Sequence, residues 1–206
     1  MRKLSYALLL LAAASTPVAA QVNTDVAINE VFYGGGAGQD WVELINTGNG
    51  SIDISNFWFC TRFGYSRLGA QTIIMGDDFN LDPGEIVVVS PGRDLNNSAA
   101  DLSLYQTNSF GDPNQLLDFV QWGTDARVGR SNEANSRGVW LGDVPVDFVP
   151  TAQPGESVSF CGTNSGGGLL TFSSDLMNGA PSQGTSNDAL CFVQEEIFAD
   201  GFEDVI

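Results

Sequence analysis

Few side chains in this sequence could carry chemistry. Glu30 and Glu43 stand on two neighbouring candidate strands, and paired carboxylates are what glycoside hydrolysis uses. The other familiar constellations lack a member. There is no histidine, and the single lysine, Lys3, lies at the N-terminus. A serine or cysteine nucleophile therefore has no usual base to take its proton. The glycines at 34–36 and 38 precede a strand and no lysine, so they do not form a phosphate-cradling loop. For metal, the sharpest string is Asp78-x-Asn80-x-Asp82, which opens like a calcium-binding loop. Pro83 then occupies the glycine position and Val89 the glutamate position, so the motif fails. A looser calcium site at Asp77, Asp78, Asn80 and Asp82 remains an expectation beside the plain reading of a hairpin turn. No other cofactor is implied.

The elements that must position these residues read as strands. Val26–Tyr33 and Asp40–Thr47 alternate apolar and polar residues, separated by a glycine-rich gap. A third run extends from Ile52 to Cys60. Alternation sets Val26, Ile28, Glu30 and Phe32 on one face, and Trp41, Glu43 and Ile45 on one face of the next strand. Each strand then carries one carboxylate among apolar neighbours. That is costly unless the acid is hydrogen-bonded or a bulge turns it away. Further strands are expected at Thr72–Met75, Glu85–Ser90, Leu102–Tyr105, Leu116–Trp122, Val146–Phe148, Ser157–Cys161 and Leu169–Phe172, with Gly, Pro, Asn and Asp clusters between them. No sustained helical period is present, although Asn96–Leu104 could hold one helical turn. Short strands at this spacing predict an all-β sandwich or barrel.

The order of motifs resembles the lamin-tail domain family. It begins with Ile28-Asn29-Glu30-Val31, a glycine-rich gap, and Trp41-Val42-Glu43-Leu44 followed by Asn46. Ile52, Ile54, Ser55 and Trp58 come next, then Leu81 with Pro83-Gly84-Glu85 and an apolar strand. Asp118, Val120, Trp122 and Gly123 match a strand motif, and Pro181, Gly184 and Asn187 a closing segment. Ser182-Gln183-Gly184 departs from the usual Thr-Pro-Gly-like turn. The resemblance implies an immunoglobulin-like β-sandwich. It also implies that Asn29, Glu30, Trp41, Glu43, Asn46, Pro83, Gly84, Asp118, Trp122 and Gly123 are a structural signature rather than a reaction centre. Glu30 and Glu43 are then expected to satisfy turn amides or an arginine such as Arg62.

Residues 1–20 read as a secretory signal peptide: Arg2 and Lys3, an apolar run too short to span a bilayer, and small residues ending at Ala20. The domain is expected over 22–187, and an acidic tail over 188–206. Part of that tail, Ile197–Glu203, resembles short tails of other exported bacterial proteins and suggests a sorting signal. The net charge is −17, and only six basic residues, all arginine, follow the signal. Such a field repels phosphate backbones and anionic headgroups, so nucleic acid is a poor partner. Residues 124–143 are a polar loop whose arginines Arg127, Arg130 and Arg137 are expected to pair with carboxylates, with Trp140 covering the core. Three cysteines allow three pairings. Cys161–Cys191 is the one expected, because it would tie the tail to the domain. Zinc is excluded by the spacing and the lack of histidine.

The resulting expectation is an exported, non-enzymatic binding, adhesive or structural module, secreted or held at the cell surface or in the periplasm. Its partner would be a protein or glycan of the cell envelope. The alternatives are an accessory domain to extracellular hydrolases, or a small secreted enzyme working with carboxylates alone.

Overall fold

The computed structural model describes residues 25–62, 64–123, 129–141, 147–161, 173–187 and 191. The signal peptide with Ala20, Arg127, the Leu169–Phe172 strand and the 192–206 part of the tail lie outside them. In chain order the strands are β1 Val26–Phe32, β2 Trp41–Asn46, β3 Ile52–Asp53, β4 Trp58–Thr61, β5 Gly64–Arg67 and β6 Ile73–Met75. They continue with β7 Asn80–Leu81, β8 Ile86–Val89, β9 Ala99–Tyr105, β10 Leu116–Gly123, β11 Ser157–Phe160 and β12 Leu176–Gly179. One helix, α1, spans Ser131–Arg137.

These strands make an all-β sandwich of immunoglobulin-like type. A six-stranded sheet runs β12-β11-β1-β2-β8-β6, and a four-stranded sheet runs β10-β9-β4-β5. Strands β3 and β7 form a separate two-stranded pair. The inner faces meet in one core, with Val31, Val42, Leu44 and Val89 on one side and Phe59, Leu102, Leu104 and Trp122 on the other. Tyr33, just past the end of β1, stacks on Trp122 of the second sheet, with ring centroids 4.4 Å apart. Trp122 Nε1 donates to the Asn96 carbonyl at 2.9 Å, so the buried ring keeps its one donor satisfied.

Several sequence expectations are corrected. The run from Ile52 to Cys60 is broken. Asp53 Oδ1 accepts from the Ser55 amide at 2.8 Å, and this turn drops Ile54 into the core between β3 and β4. Asn96–Leu104 holds no helical turn; it runs into β9, whose Leu102 and Leu104 are fully buried. The helix lies instead in the loop read as irregular, where seven residues, six of them polar, with two buried positions give no legible period. Its end is marked by Gly138 at φ 79°, a left-handed cap. Residues Asp147 and Phe148 are not in a strand, and Val149 makes a single parallel bridge to Trp122. Strands β5, β7 and β12 have no counterpart among the runs expected from sequence. Trp140 is fully buried and packs edge-on against Phe119, at 5.5 Å between centroids.

Candidate functional site

The two glutamates meet because β1 contains a bulge. Ile28 faces Leu44, but the next paired residue is Glu30, opposite Glu43, so Asn29 is the extra residue. The bulge reverses the alternation. Val26 and Ile28 enter the core, whereas Glu30 and Phe32 turn to the outer face with Trp41 and Glu43. The single-face arrangement expected for β1 is therefore replaced by a split one. The β2 face holds as read, with Trp41 stacked on Phe32 at 5.5 Å. The bulge also frees the Ile28 amide, which donates to Asp118 Oδ2 at 2.7 Å. Asp118 lies on β10, so this buried carboxylate links the two sheets.

Both glutamates are fully buried, at 0% exposure. What covers them is the segment after β12, not an arginine. Glu30 Oε1 accepts from Ser157 Oγ and from the Ser182 amide at 3.0 Å, and Oε2 from Ser182 Oγ at 2.8 Å. Glu43 accepts from Asn29 Nδ2 and from the Gly184 amide, each at 2.6 Å. Asn187 completes the circuit. Its Nδ2 donates to the Asn29 carbonyl at 3.0 Å, and its Oδ1 lies 2.7 Å from Ser182 Oγ. Arg62, the cation expected for this pair, sits on the other sheet's β4–β5 turn, where its amide donates to Asp101 at 2.9 Å. Burial is the main cause that pushes the Glu43 carboxyl up to about 7, against its hydrogen bonds from Asn29 and Gly184; Glu30 adds a smaller push.

A hydrolytic pair needs an open cleft with room for sugar and water. Here the polar segment seals both acids, and their oxygens are occupied by donors. A recess of about 330 Å³ lies beside the pair, lined by Asn29, Ile45, Ile86, Phe160, Asn187 and Cys191. Neither glutamate lines it, and none of its lining residues is charged. The disulfide Cys161–Cys191, Cα–Cα 5.3 Å, forms one wall. Cys60 is buried beneath the outer face of the four-stranded sheet and takes no part in it.

The remaining signature positions have structural tasks. Asn46 Nδ2 donates to the carbonyls of Gly50 and Leu81 at 2.8 and 2.9 Å, and its Oδ1 accepts from the Gly48 amide. Pro83-Gly84 form the turn into β8, with Gly84 at φ 78° and its amide on the Asn46 carbonyl at 2.8 Å. Gly123 sits at φ 92°, where any Cβ would overlap the Ser98 carbonyl. In the acidic turn, Asp78 Oδ1 accepts from the Asn80 amide at 2.6 Å and Asp82 Oδ1 from Ser51 Oγ at 2.5 Å. Those carboxylates act as turn formers. Among the described residues no group of three or more acids or cysteines is placed to hold a metal ion. Arg130 pairs with Glu133 at 2.9 Å, as expected of the loop arginines; Arg137 makes no ion pair among the described residues. The residues missed from sequence were Ser157, Ser182 and Asp101. No spacing rule marks a serine as the partner of a carboxylate more than a hundred residues away.

Among the described residues no helix is long and apolar enough to cross a membrane. A family model described as Lamin Tail Domain matches residues 19–140. No curated protein and no solved structure gave a match. The matched stretch holds Asn29, Glu30, Glu43, Asp118 and Gly123, whereas the sealing segment comes after it. The family is one of non-catalytic immunoglobulin-like modules, and this chain belongs to the lamin tail domain family.

Proposed function

We propose that this protein is an exported, non-enzymatic recognition module that binds or adheres to material of the cell envelope. The observation that carries this reading is the sealed acid pair. Glu30 and Glu43 are the constellation best suited to chemistry, yet both have 0% exposure and spend their oxygens on Ser157, Ser182, Asn29 and Gly184. A reaction at either acid would first require the closing segment to come away. Export is supported by the pattern of residues 1–20, a charged start and an apolar run that ends in small residues.

The test has two arms. Purified mature protein is assayed against a panel of glycoside, ester and phosphoester substrates, and the same protein is immobilised to capture solubilised envelope material. The expected result is capture without turnover, with Gln21 as the first residue of the protein recovered from the cell exterior. Turnover abolished by Glu30→Gln or Glu43→Gln would overturn the reading.

A further inference from the structure

Glu30 and Glu43 are register partners on β1 and β2, wholly buried, and no arginine pairs with either among the described residues. The strands around Glu43 set uncharged residues beside it. Strand β8 places Val88 opposite Glu43, β6 places Met75 opposite Val88, and β11 places Ser159 opposite Glu30. Asp118 comes from the other sheet and takes the Ile28 amide. Glu30 is the titratable group whose charge acts on Glu43. The covering residues 182–187, Ser-Gln-Gly-Thr-Ser-Asn, hold neither acid nor base. They form a turn of their own: the Thr185 amide donates to the Ser182 carbonyl at 2.8 Å, and Ser182 Oγ lies 2.7 Å from Asn187 Oδ1. The front of that turn is fixed to the sheet through the acids, by Ser182 on Glu30 and by the Gly184 amide on Glu43. Its end is fixed differently. Asn187 Nδ2 donates to the Asn29 and Phe160 carbonyls, each at 3.0 Å, and the Cys161–Cys191 bond follows.

We infer that the acid pair is a pH-sensitive latch on residues 182–187: with a proton on Glu43 the turn stays seated on the outer face of β1 and β2, and with both acids ionised its front lifts off. Asn187 and the disulfide keep its end in place. Two facing carboxylates shut away from water repel each other when both are charged, and water can solvate them only once the cover comes away. A protonated carboxyl carries no charge yet keeps lone pairs for donors such as the Gly184 amide. Burial, opposed by the bonds from Asn29 and Gly184 and reinforced by Glu30, holds the Glu43 carboxyl up to about 7, which sets the transition near neutrality. In the opened form Glu43 is in water and titrates near its ordinary 4.5. The proton is held more tightly closed than open, so closure is favoured in full below about 4.5 and loses that advantage as pH rises through about 7. Above neutrality the outer face presents two bare carboxylates; below it they are sealed. The device does not depend on what the protein binds.

The test follows amide hydrogen exchange of the full mature chain by NMR from pH 5 to pH 8, corrected for the intrinsic pH dependence of exchange. The Ser182 and Gly184 amides are compared with that of Leu44, fully buried on β2. Protection at Ser182 and Gly184 is expected to fall roughly fiftyfold or more over that interval. Global unfolding also frees Glu43, so Leu44 protection declines too, and urea separates the two routes. Urea below the unfolding transition should speed exchange at Leu44 and leave Ser182 and Gly184 unchanged, because a local opening exposes little surface. In Glu43→Gln the exchange of Ser182 and Gly184 should lose its pH dependence. Protection at these two amides that stays flat or rises with pH overturns the latch. So does exchange as slow and as urea-sensitive as that of Leu44, which would mean that the turn opens only when the domain unfolds. A Glu43→Gln protein that keeps the wild-type pH dependence overturns it as well. If that variant does not fold, the wild-type pH and urea series decide by themselves.

Discussion

Glu30 and Glu43 face each other across β1 and β2, both wholly buried, and no arginine pairs with either among the described residues. Two acids in such a position destabilise a fold unless donors reach them. The donors come from a segment about 140 to 150 residues further along the chain, Ser182 and Gly184. The acids are therefore the anchor points on which the end of the domain closes.

Removing either anchor leaves that closure short of acceptors. Glu30→Ala strands Ser157 Oγ and the Ser182 amide; Glu43→Ala strands Asn29 Nδ2 and the Gly184 amide. Each is expected to cost about 2–4 kcal/mol, from one to two buried donors left unsatisfied. Urea unfolding measures it. Wild-type stability in both variants would show that the segment does not depend on the acids.

Stability should also depend on pH in a specific direction. Burial holds the Glu43 carboxyl up to about 7 in the folded protein, against an ordinary value of 4.5. A raised acid binds more protons folded than unfolded. Its contribution is fully present below about 4.5 and is lost as pH rises to about 7. Burial also raises Asp40 and Asp101, which act with the same sign. Thermal unfolding across pH 4 to 8 should show this decline, and Glu43→Gln should flatten its upper part. A stability rising over that interval in the wild type contradicts the assignment.

Gly184 is placed by its backbone. At φ 75° it adopts a left-handed conformation that side chains resist, and a Cβ would lie 2.7 Å from Met75 Cε. Gly184→Ala is expected to cost about 1 kcal/mol. Met75 is 42% exposed and can swing aside, so adding Met75→Ala should restore little. Full recovery in the double variant would locate the cost in the side-chain contact instead.

The Cys161–Cys191 bond closes a loop with a sequence separation of 30 residues next to the same segment. Its removal by Cys161→Ser with Cys191→Ser should lower stability by roughly 3–4 kcal/mol in the chain-entropy model. Cys60 is buried and offers no alternative partner in the folded protein. Chemical denaturation of the double variant, compared with the oxidised wild type, checks the figure.

Much of this architecture can be read from local pattern. Alternation in Val26–Phe32 and Trp41–Asn46 marks two strands, because a side-chain period of two needs only neighbouring residues to be recognised. Pro83-Gly84 and the glycine-rich gap mark turns for the same reason. The helix at Ser131–Arg137 escapes, since seven residues with two buried positions carry almost no periodic signal. The break between β3 and β4 escapes because Ile54 reads as one more strand residue until the core that receives it is known.

By itself the sequence determined an all-β chain, a strong negative charge, the absence of histidine and the choice of Glu30 and Glu43 as the residues to question. Only the tertiary structure decided what those acids do. One bulged residue, Asn29, reverses the facing of everything after it, and a bulge is fixed by pairing with β2 and by Asp118 reaching across from the other sheet. Contacts between residues far apart in sequence have no local signature, because their free energy depends on the packed chain rather than on neighbouring residues.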